Sequence, residues 1–423
     1  VLLKKNKDKI KILTMGDHPL VASGVGTQCK YLFEGLLKTG RYQILSLGGA
    51  IKHEDYSPQK IEPYEDDWAV VPTNGYGDEN LLREILDNEE IDAVWMMTDP
   101  RFYTWLFNMS DEIRDRGVPI LYFHVWDNYP VPDFNAIHYQ SCDFVGCISK
   151  LTHDIVEQCG MKENSAYIPH AVDPTIFDKL PQDILKTLKA EKFGTKKGKF
   201  VVFYNSRNAR RKMTSDIIKS FKTFLGRVGE DNAFLLMHTD PKDNEGSDLV
   251  AVANMLGLTA DQIGFSTQRL PPEEIAIFYN VADVTINISN NEGFGLSVLE
   301  SLSCGTPVII NKTGGMQDQA LDDEGREFGV VIEPATRTLT GSQEVPYIFD
   351  DRCSDEDVVA ALLKMFNLTE TQRSDIGDAA RAWTLKKFSI EDMITNWDNA
   401  ISKYVKKYKE SKGNPDRVRF SKI

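Results

Sequence analysis

The sequence predicts an α/β chain of two domains, each a parallel sheet covered by helices. Strand-like and helix-like patterns alternate from one end of the 423 residues to the other, the order that parallel sheets need. The strand runs are rich in apolar β-formers, as strands buried on both faces are. The length is ample for two hydrophobic cores.

In chain order, the first strand is expected at 9–15. The loop Gly16–Gln28 follows, with Gly24 and Gly26 able to let backbone approach a ligand, and a helix begins near Thr27. A dinucleotide site would need a third glycine where Cys29 stands, and an acid where the strand at 42–47 runs into Gly48-Gly49. Residues 50–80 mix Pro, acids and aromatics without a period and read as a loop-rich excursion. Strands at 91–97 and 119–125 continue the domain, the latter ending in His124-Val-Trp126-Asp127. A His at the carboxyl end of such a strand lies where α/β sheets bind ligands, although a lone His is usually a hydrogen-bonded core residue. Tyr167-Ile-Pro-His170-Ala-Val-Asp173 marks the turn into the second domain, and a lysine-rich helix and loop fill 180–198. Strands are expected at 200–205, 232–239, 262–266, 282–289 and 308–310, with 328–333 as the last. Ser354 and Asp357 form a capping box ahead of an apolar helix. A second capping signal at Ser389 starts a final helix with Ile394, Trp397, Ile401 and Tyr404 at helical spacing. Lys406–Ile423 is polar and reads as a fraying tail. The domains are thus 1–175, completed by the helix at about 389–410, and 176–388.

Composition narrows the function. The net charge is −14, and residues 1–175 hold 16 Lys and Arg against 27 Asp and Glu. That acidity suits neither nucleic acid nor an anionic membrane surface. No apolar run approaches the ~20 residues of a membrane span. At Val1-Leu-Leu-Lys-Lys the apolar and basic parts stand in the wrong order for a signal peptide. The six cysteines show no paired spacing and read as reduced thiols of a cytoplasmic protein. The seven histidines show no metal-ligand spacing, and Asp355-Glu-Asp357 is better explained by the cap than by a metal.

The most informative stretch is Ser289-Asn-Asn-Glu292-Gly-Phe-Gly-Leu-Ser-Val-Leu-Glu300, continuing to Cys304-Gly305-Thr-Pro307. It reads as a strand end, a glycine loop and a short helix stopped at Gly305. Bare amides at Gly293 and Gly295, beside a helix N-terminus, suit a phosphate. Carboxylates on either side, at Glu292 and Glu300, suit hydroxyls, so the implied ligand is a phosphate flanked by sugars. A second anion site is offered by Ser206-Arg207-Asn-Ala-Arg210-Arg211-Lys212, four cations at a strand end ahead of a helix. The bland readings are two surface glutamates and a solvated basic loop.

Glu292-x7-Glu300 with Gly-Phe-Gly inside resembles the signature of retaining nucleotide-sugar glycosyltransferases, in particular the fourth family, of GT-B fold. The resemblance implies two Rossmann-like domains facing a central cleft, with the final helix crossing back onto the first. It implies that His124 and Glu292 meet the donor hexose and that Arg207 and Lys212, with Arg211 able to take either role, meet the diphosphate. Glu300 would meet the ribose. Gly24, Gly26, Arg269, Gly293, Phe294, Gly295 and Leu296 would complete the donor site. The implied reaction moves a hexosyl group from a UDP- or GDP-hexose to a glycan or other hydroxyl acceptor, soluble or neutral given the acidic first domain. No metal or other cofactor is expected. A sugar phosphorylase, a nucleotide-sugar epimerase or a non-catalytic nucleotide-sugar-binding subunit are the alternatives.

Overall fold

The computed structural model describes residues 2–21, 23–193 and 198–411; the tail read at Lys406–Ile423 lies outside them from 412 on, as does the loop at 194–197. Contacts divide the chain into two units, Val1–Ala171 with Ile390–Ile423, and Val172–Ser389.

The first unit is built on β1 (Ile10–Asp17), β2 (Tyr42–Gly49), β3 (Gln59–Lys60), β4 (Trp68–Pro72), β5 (Ala93–Thr98), β6 (Ile120–His124), β7 (Phe144–Cys147) and β8 (Ser165–Tyr167). They form one sheet in the order β3-β4-β2-β1-β5-β6-β7-β8, parallel except for the edge strand β3. Every residue of β2, β5, β6 and β7 is buried, the pattern of a sheet covered on both faces. Two readings need correction here. The excursion at 50–80 contains β3 and β4, and β4 is a core strand with Trp68 only 1% exposed. Its apolar run, Trp68–Val71, is short and framed by Asp66-Asp67 and Pro72, which hid it. The first helix begins at Gly24 rather than near Thr27, because Ser23 caps it by accepting the Gly26 amide at 2.9 Å.

The second unit is built on β9 (Phe200–Asn205), β10 (Ala233–His238), β11 (Ile263–Ser266), β12 (Val284–Asn287), β13 (Val308–Asn311) and β14 (Gly329–Ile332). All are parallel, in the order β11-β10-β9-β12-β13-β14. The chain winds from β9 to one side and then returns to its other side at β12. Loops leaving the carboxyl ends of β9, β12 and β13 therefore lie side by side at the switch point, where open α/β sheets bind ligands. The strand at 328–333 is not the last. β15 (Thr336–Thr340) and β16 (Ile348–Arg352) follow as an antiparallel hairpin. β15 is almost wholly exposed and reads Thr-Arg-Thr-Leu-Thr, so no apolar alternation announced it. Ser354 caps the helix Asp355–Asn367, accepting the Asp357 amide at 3.0 Å and donating to the Asp357 carboxylate at 2.6 Å.

The helix Ile390–Ser411 packs within the first unit. Trp397 is fully buried there, edge-on to Trp95, Phe123 and Phe144. A methyl group on Gly146 would come within 2.5 Å of the Trp397 ring, so the strand glycine leaves the space the indole fills. No described helix is long and apolar enough to cross a membrane. Trp397→Ala should cost about 3–5 kcal/mol of stability, the range for a large aromatic lost from a packed core. Urea unfolding measures it, and a loss below about 1 kcal/mol would show that this helix does not anchor the unit.

Candidate functional site

The site assembles from the loops after β9, β12 and β13. β12 ends at Asn287, and the chain turns through Ser289-Asn290-Asn291 to Glu292, whose side chain is 11% exposed. After β9 the loop closes into a short turn at Arg210–Lys212, and Met213 takes a left-handed φ of 56° before the helix Thr214–Val228. That turn lies against the Glu292 loop. The Asn290 amide donates to the Arg211 carbonyl at 2.8 Å, and the Arg211 guanidinium donates to the Asn291 carbonyl at 2.9 Å. The Lys212 ammonium bonds Glu292 Oε2 directly, with Arg211 at 3.5 Å and Ser289 Oγ at 3.5 Å. Burial pushes the Glu292 carboxyl up, but the charges of Lys212 and Arg211 outweigh it and hold the group below its ordinary range.

The loop after β13 adds the Gly315 amide, which donates to the Glu292 carbonyl at 3.1 Å. Between them Gly295 is left-handed, at φ 88°, and a Cβ there would lie 2.7 Å from Met316 Cγ. Only glycine serves at that position. It precedes the helix Leu296–Ser303 and has no side chain to cap it; the Val298 amide turns back to the Gly295 carbonyl at 3.0 Å, and the two amides ahead of it, of Leu296 and Ser297, get no capping side chain. Gly305, at φ 73°, follows that helix as the motif implied.

Glu300 lies in the same helix. It accepts the Tyr279 hydroxyl at 2.7 Å, which in turn accepts from Asn205 Nδ2 at 2.8 Å. Burial raises the Glu300 pKa to about 7, against a smaller lowering by the tyrosine bond. The two carboxylates are thus tuned oppositely, one firmly ionised and one near its midpoint at neutral pH.

The structure brings together Arg211, Lys212, Glu292, Gly293, Gly295, Leu296 and Glu300. Three other candidates of the second unit, Arg207, Arg269 and Phe294, stand apart from this cluster. Arg207 is largely exposed and holds Asp243 through two bonds of 2.7 and 3.0 Å, so Arg211, not Arg207, stands with Lys212 beside Glu292. Arg269 is exposed in the segment after β11, two strands from β9. Phe294 is buried against Phe388, its carbonyl accepting from Gln319 at 2.6 Å. Its side chain is core. A Cβ on Gly26 would lie 2.7 Å from the Val21 carbonyl and 2.9 Å from that of His18, so this glycine admits the protein's own loop rather than a ligand; Gly24 is the exposed first residue of the helix. His124 ends β6 wholly buried between Tyr122 and Tyr139. Burial lowers its pKa to about 3, and neither ring nitrogen has a partner among the described residues. Sequence reading missed Asn205, Tyr279, Ser289 and Met316; a polar residue closing an apolar strand was the one signal available, for Asn205.

Among the described residues no group of three His, Cys, Asp or Glu is arranged to hold a metal. The cluster offers two cations and helix amides for an anion, with acceptors to either side for hydroxyls.

A pH signature follows from Glu300. Its acid is protonated in the native state up to about pH 7 but ionises near 4.5 when unfolded. The native state holds the extra proton between those values, so stability falls as pH rises through that window. Glu300→Gln should remove this slope. Urea unfolding should find the variant gaining on the parent as pH rises from 4.5, with the gain levelling above 7; a gap independent of pH would show that Glu300 titrates normally.

Residues 186–340 match the family model of glycosyl transferases group 1. The chain is 41% identical over 83 residues to the D-inositol 3-phosphate glycosyltransferase of Acidothermus cellulolyticus, covering 20% of this chain and 18% of that one. It is 32% identical over 172 residues to the alpha-monoglucosyldiacylglycerol synthase of Streptococcus pneumoniae, covering 40% and 37%. These matches thus span well under half of either relative. Among solved structures it is similar to Anabaena Alr3699/HepE in complex with UDP and glucose, with TM-score 0.67, 15% identity, and 93% of this chain and all of that one covered. The chain therefore has the GT-B fold and carries in its second unit a segment that matches the glycosyl transferases group 1 model.

Proposed function

We propose that this protein is a retaining glycosyltransferase that moves a hexosyl group from a nucleotide-diphosphate sugar, a UDP- or GDP-hexose, to a glycan or other hydroxyl acceptor. The observation that carries the reading is the Lys212–Arg211–Glu292 cluster at the start of the helix that bears Glu300, inside the segment matched to group 1 glycosyltransferases. The bound UDP of the Anabaena relative supports a nucleotide donor.

In this reading the diphosphate lies over Gly293–Leu296, against the helix amides and the two cations. Negative charge grows on the leaving diphosphate, and Arg211 and Lys212 stabilise it where it grows. Glu292 accepts hydroxyls of the hexose and orients its reacting carbon. Glu300, held by Tyr279, accepts the ribose hydroxyls. The neutral imidazole of His124 is proposed as a further hexose ligand.

Two experiments test this. A ribose contact is the same in ground and transition states, so its loss is uniform binding; a contact that orients the reacting sugar matters more in the transition state. Glu300→Ala should weaken nucleoside diphosphate and sugar nucleotide alike, on the order of tenfold, and raise the donor KM. Glu292→Gln should keep nucleoside diphosphate affinity within about twofold while kcat falls by two orders of magnitude or more. Calorimetric titration beside initial rates reads both, and the reverse pattern would exchange the two roles.

The proposed charge stabilisation uses groups of the protein alone, so transfer should survive excess EDTA undiminished. Complete loss, restored by Mg²⁺ or Mn²⁺, would mean that the diphosphate is neutralised by a metal instead.

A further inference from the structure

The β15–β16 hairpin buries little apolar surface of its own: Leu339 is 64% exposed and the rest of β15 is polar. Its buried bonds instead converge on the loops that present Glu292. Asp351, 1% exposed, donates its amide to the Asn290 carbonyl at 2.8 Å. Its carboxylate takes Arg337 Nε at 2.6 Å, Arg337 Nη2 at 3.2 Å and the Thr313 hydroxyl at 2.9 Å. Asp350 accepts from Asn291 Nδ2 at 2.7 Å and from Asn290 Nδ2 at 3.4 Å. Asn311 joins the two sides, donating at 2.8 Å to the carbonyls of both Ser289 and Asp351.

These contacts fall on the three residues before Glu292, on Asn311 at the end of β13, or on Thr313, two residues before the Gly315 amide that holds the Glu292 carbonyl. The geometry points to Asp351 as a positioning residue: clamped by Arg337, it fastens the Ser289–Glu292 loop to the Thr313–Gly315 loop and so fixes where the Glu292 carboxylate stands. A buried carboxylate with three charge-assisted or hydroxyl bonds is a rigid anchor, and a misplacement of about 1 Å at a reacting group costs rates of order a hundredfold. The inference rests on the glycosyltransferase reading for its kinetic consequence, but not for the strut itself.

Two variants and two readouts test it. Arg337→Gln releases the clamp at a half-exposed side chain, and the double variant Asp351→Asn/Arg337→Gln removes both charges without leaving either unpaired. Each should lower kcat about tenfold with donor KM and nucleoside diphosphate affinity within about twofold, since orientation rather than binding is lost. Arg337→Lys should restore a good part of the rate. Amide hydrogen exchange at Asn290 and Gly315 should quicken by about tenfold in both variants, reporting local opening independently of turnover. Wild-type rate and wild-type exchange in both variants would overturn the proposal. So would a fall in rate that tracks nucleoside diphosphate affinity and is not rescued by lysine. Should the parent protein release no nucleoside diphosphate from any donor, the transferase reading falls, and exchange alone decides the strut: faster upholds it, unchanged rejects it.

Discussion

A carboxylate held almost out of water at Glu292 is the constraint on which the second unit turns. An ionised group in that setting is tolerated only beside a cation with good geometry, and removing one member of such a pair is strongly destabilising. Lys212, 80 residues earlier in the chain, and its neighbour Arg211 supply the cations. For them to reach, the loop after β9 has to lie beside the loop after β12, and that adjacency is given by the strand order. Gly295 and the Gly315 amide then complete the turn, so the chain's topology, one ion pair and one left-handed glycine define the same point in space.

The two glutamates of the motif show how environment divides labour between identical side chains. Both are largely enclosed, yet Glu292 is held ionised by neighbouring cations while Glu300 faces a tyrosine and is raised toward neutrality. Carboxylates whose surroundings push their pKa values apart are commonly assigned different tasks. In the proposed reading, an ionised acceptor close to two cations belongs at the charged, reacting end of the ligand. An uncharged or half-charged one, fixed by Tyr279 and Asn205, suits a diol that need not change during reaction.

Much of this was legible in the sequence, for reasons that can be stated. Apolar strand runs and glycine punctuation gave the parallel sheets, and the Gly305-x-Pro307 stop gave the helix that carries Glu300. What was not legible was partnership. Four cations at Arg207–Lys212 look alike along the chain, and only the turn at Arg210–Lys212 decides that Arg207 faces Asp243 while Arg211 and Lys212 face Glu292. Gly26 read as space for a ligand, but a glycine is equally demanded by the protein's own carbonyls, and those of Val21 and His18 occupy that space. β15 and β16 were invisible because polar bonds to Asn290, Asn291 and Thr313 hold them, and such bonds leave no period in the sequence.

The Lys212–Glu292 bond also bears on how a charged ligand enters. The ammonium is occupied by the carboxylate, so the site presents less net positive charge than its two cations suggest. A diphosphate arriving beside Lys212 competes for that ammonium with more charge than one carboxylate carries. As the ammonium turns toward phosphate, Glu292 loses part of its partner, and its oxygens become better acceptors for neighbouring hydroxyls. A ligand that carries both a diphosphate and a sugar satisfies both halves of the separated pair, whereas a bare sugar would have to bind against the intact ion pair. In the proposed reading the arrangement favours ligands in which phosphate and hydroxyls are joined, through the cost of separating two buried charges rather than through any one contact.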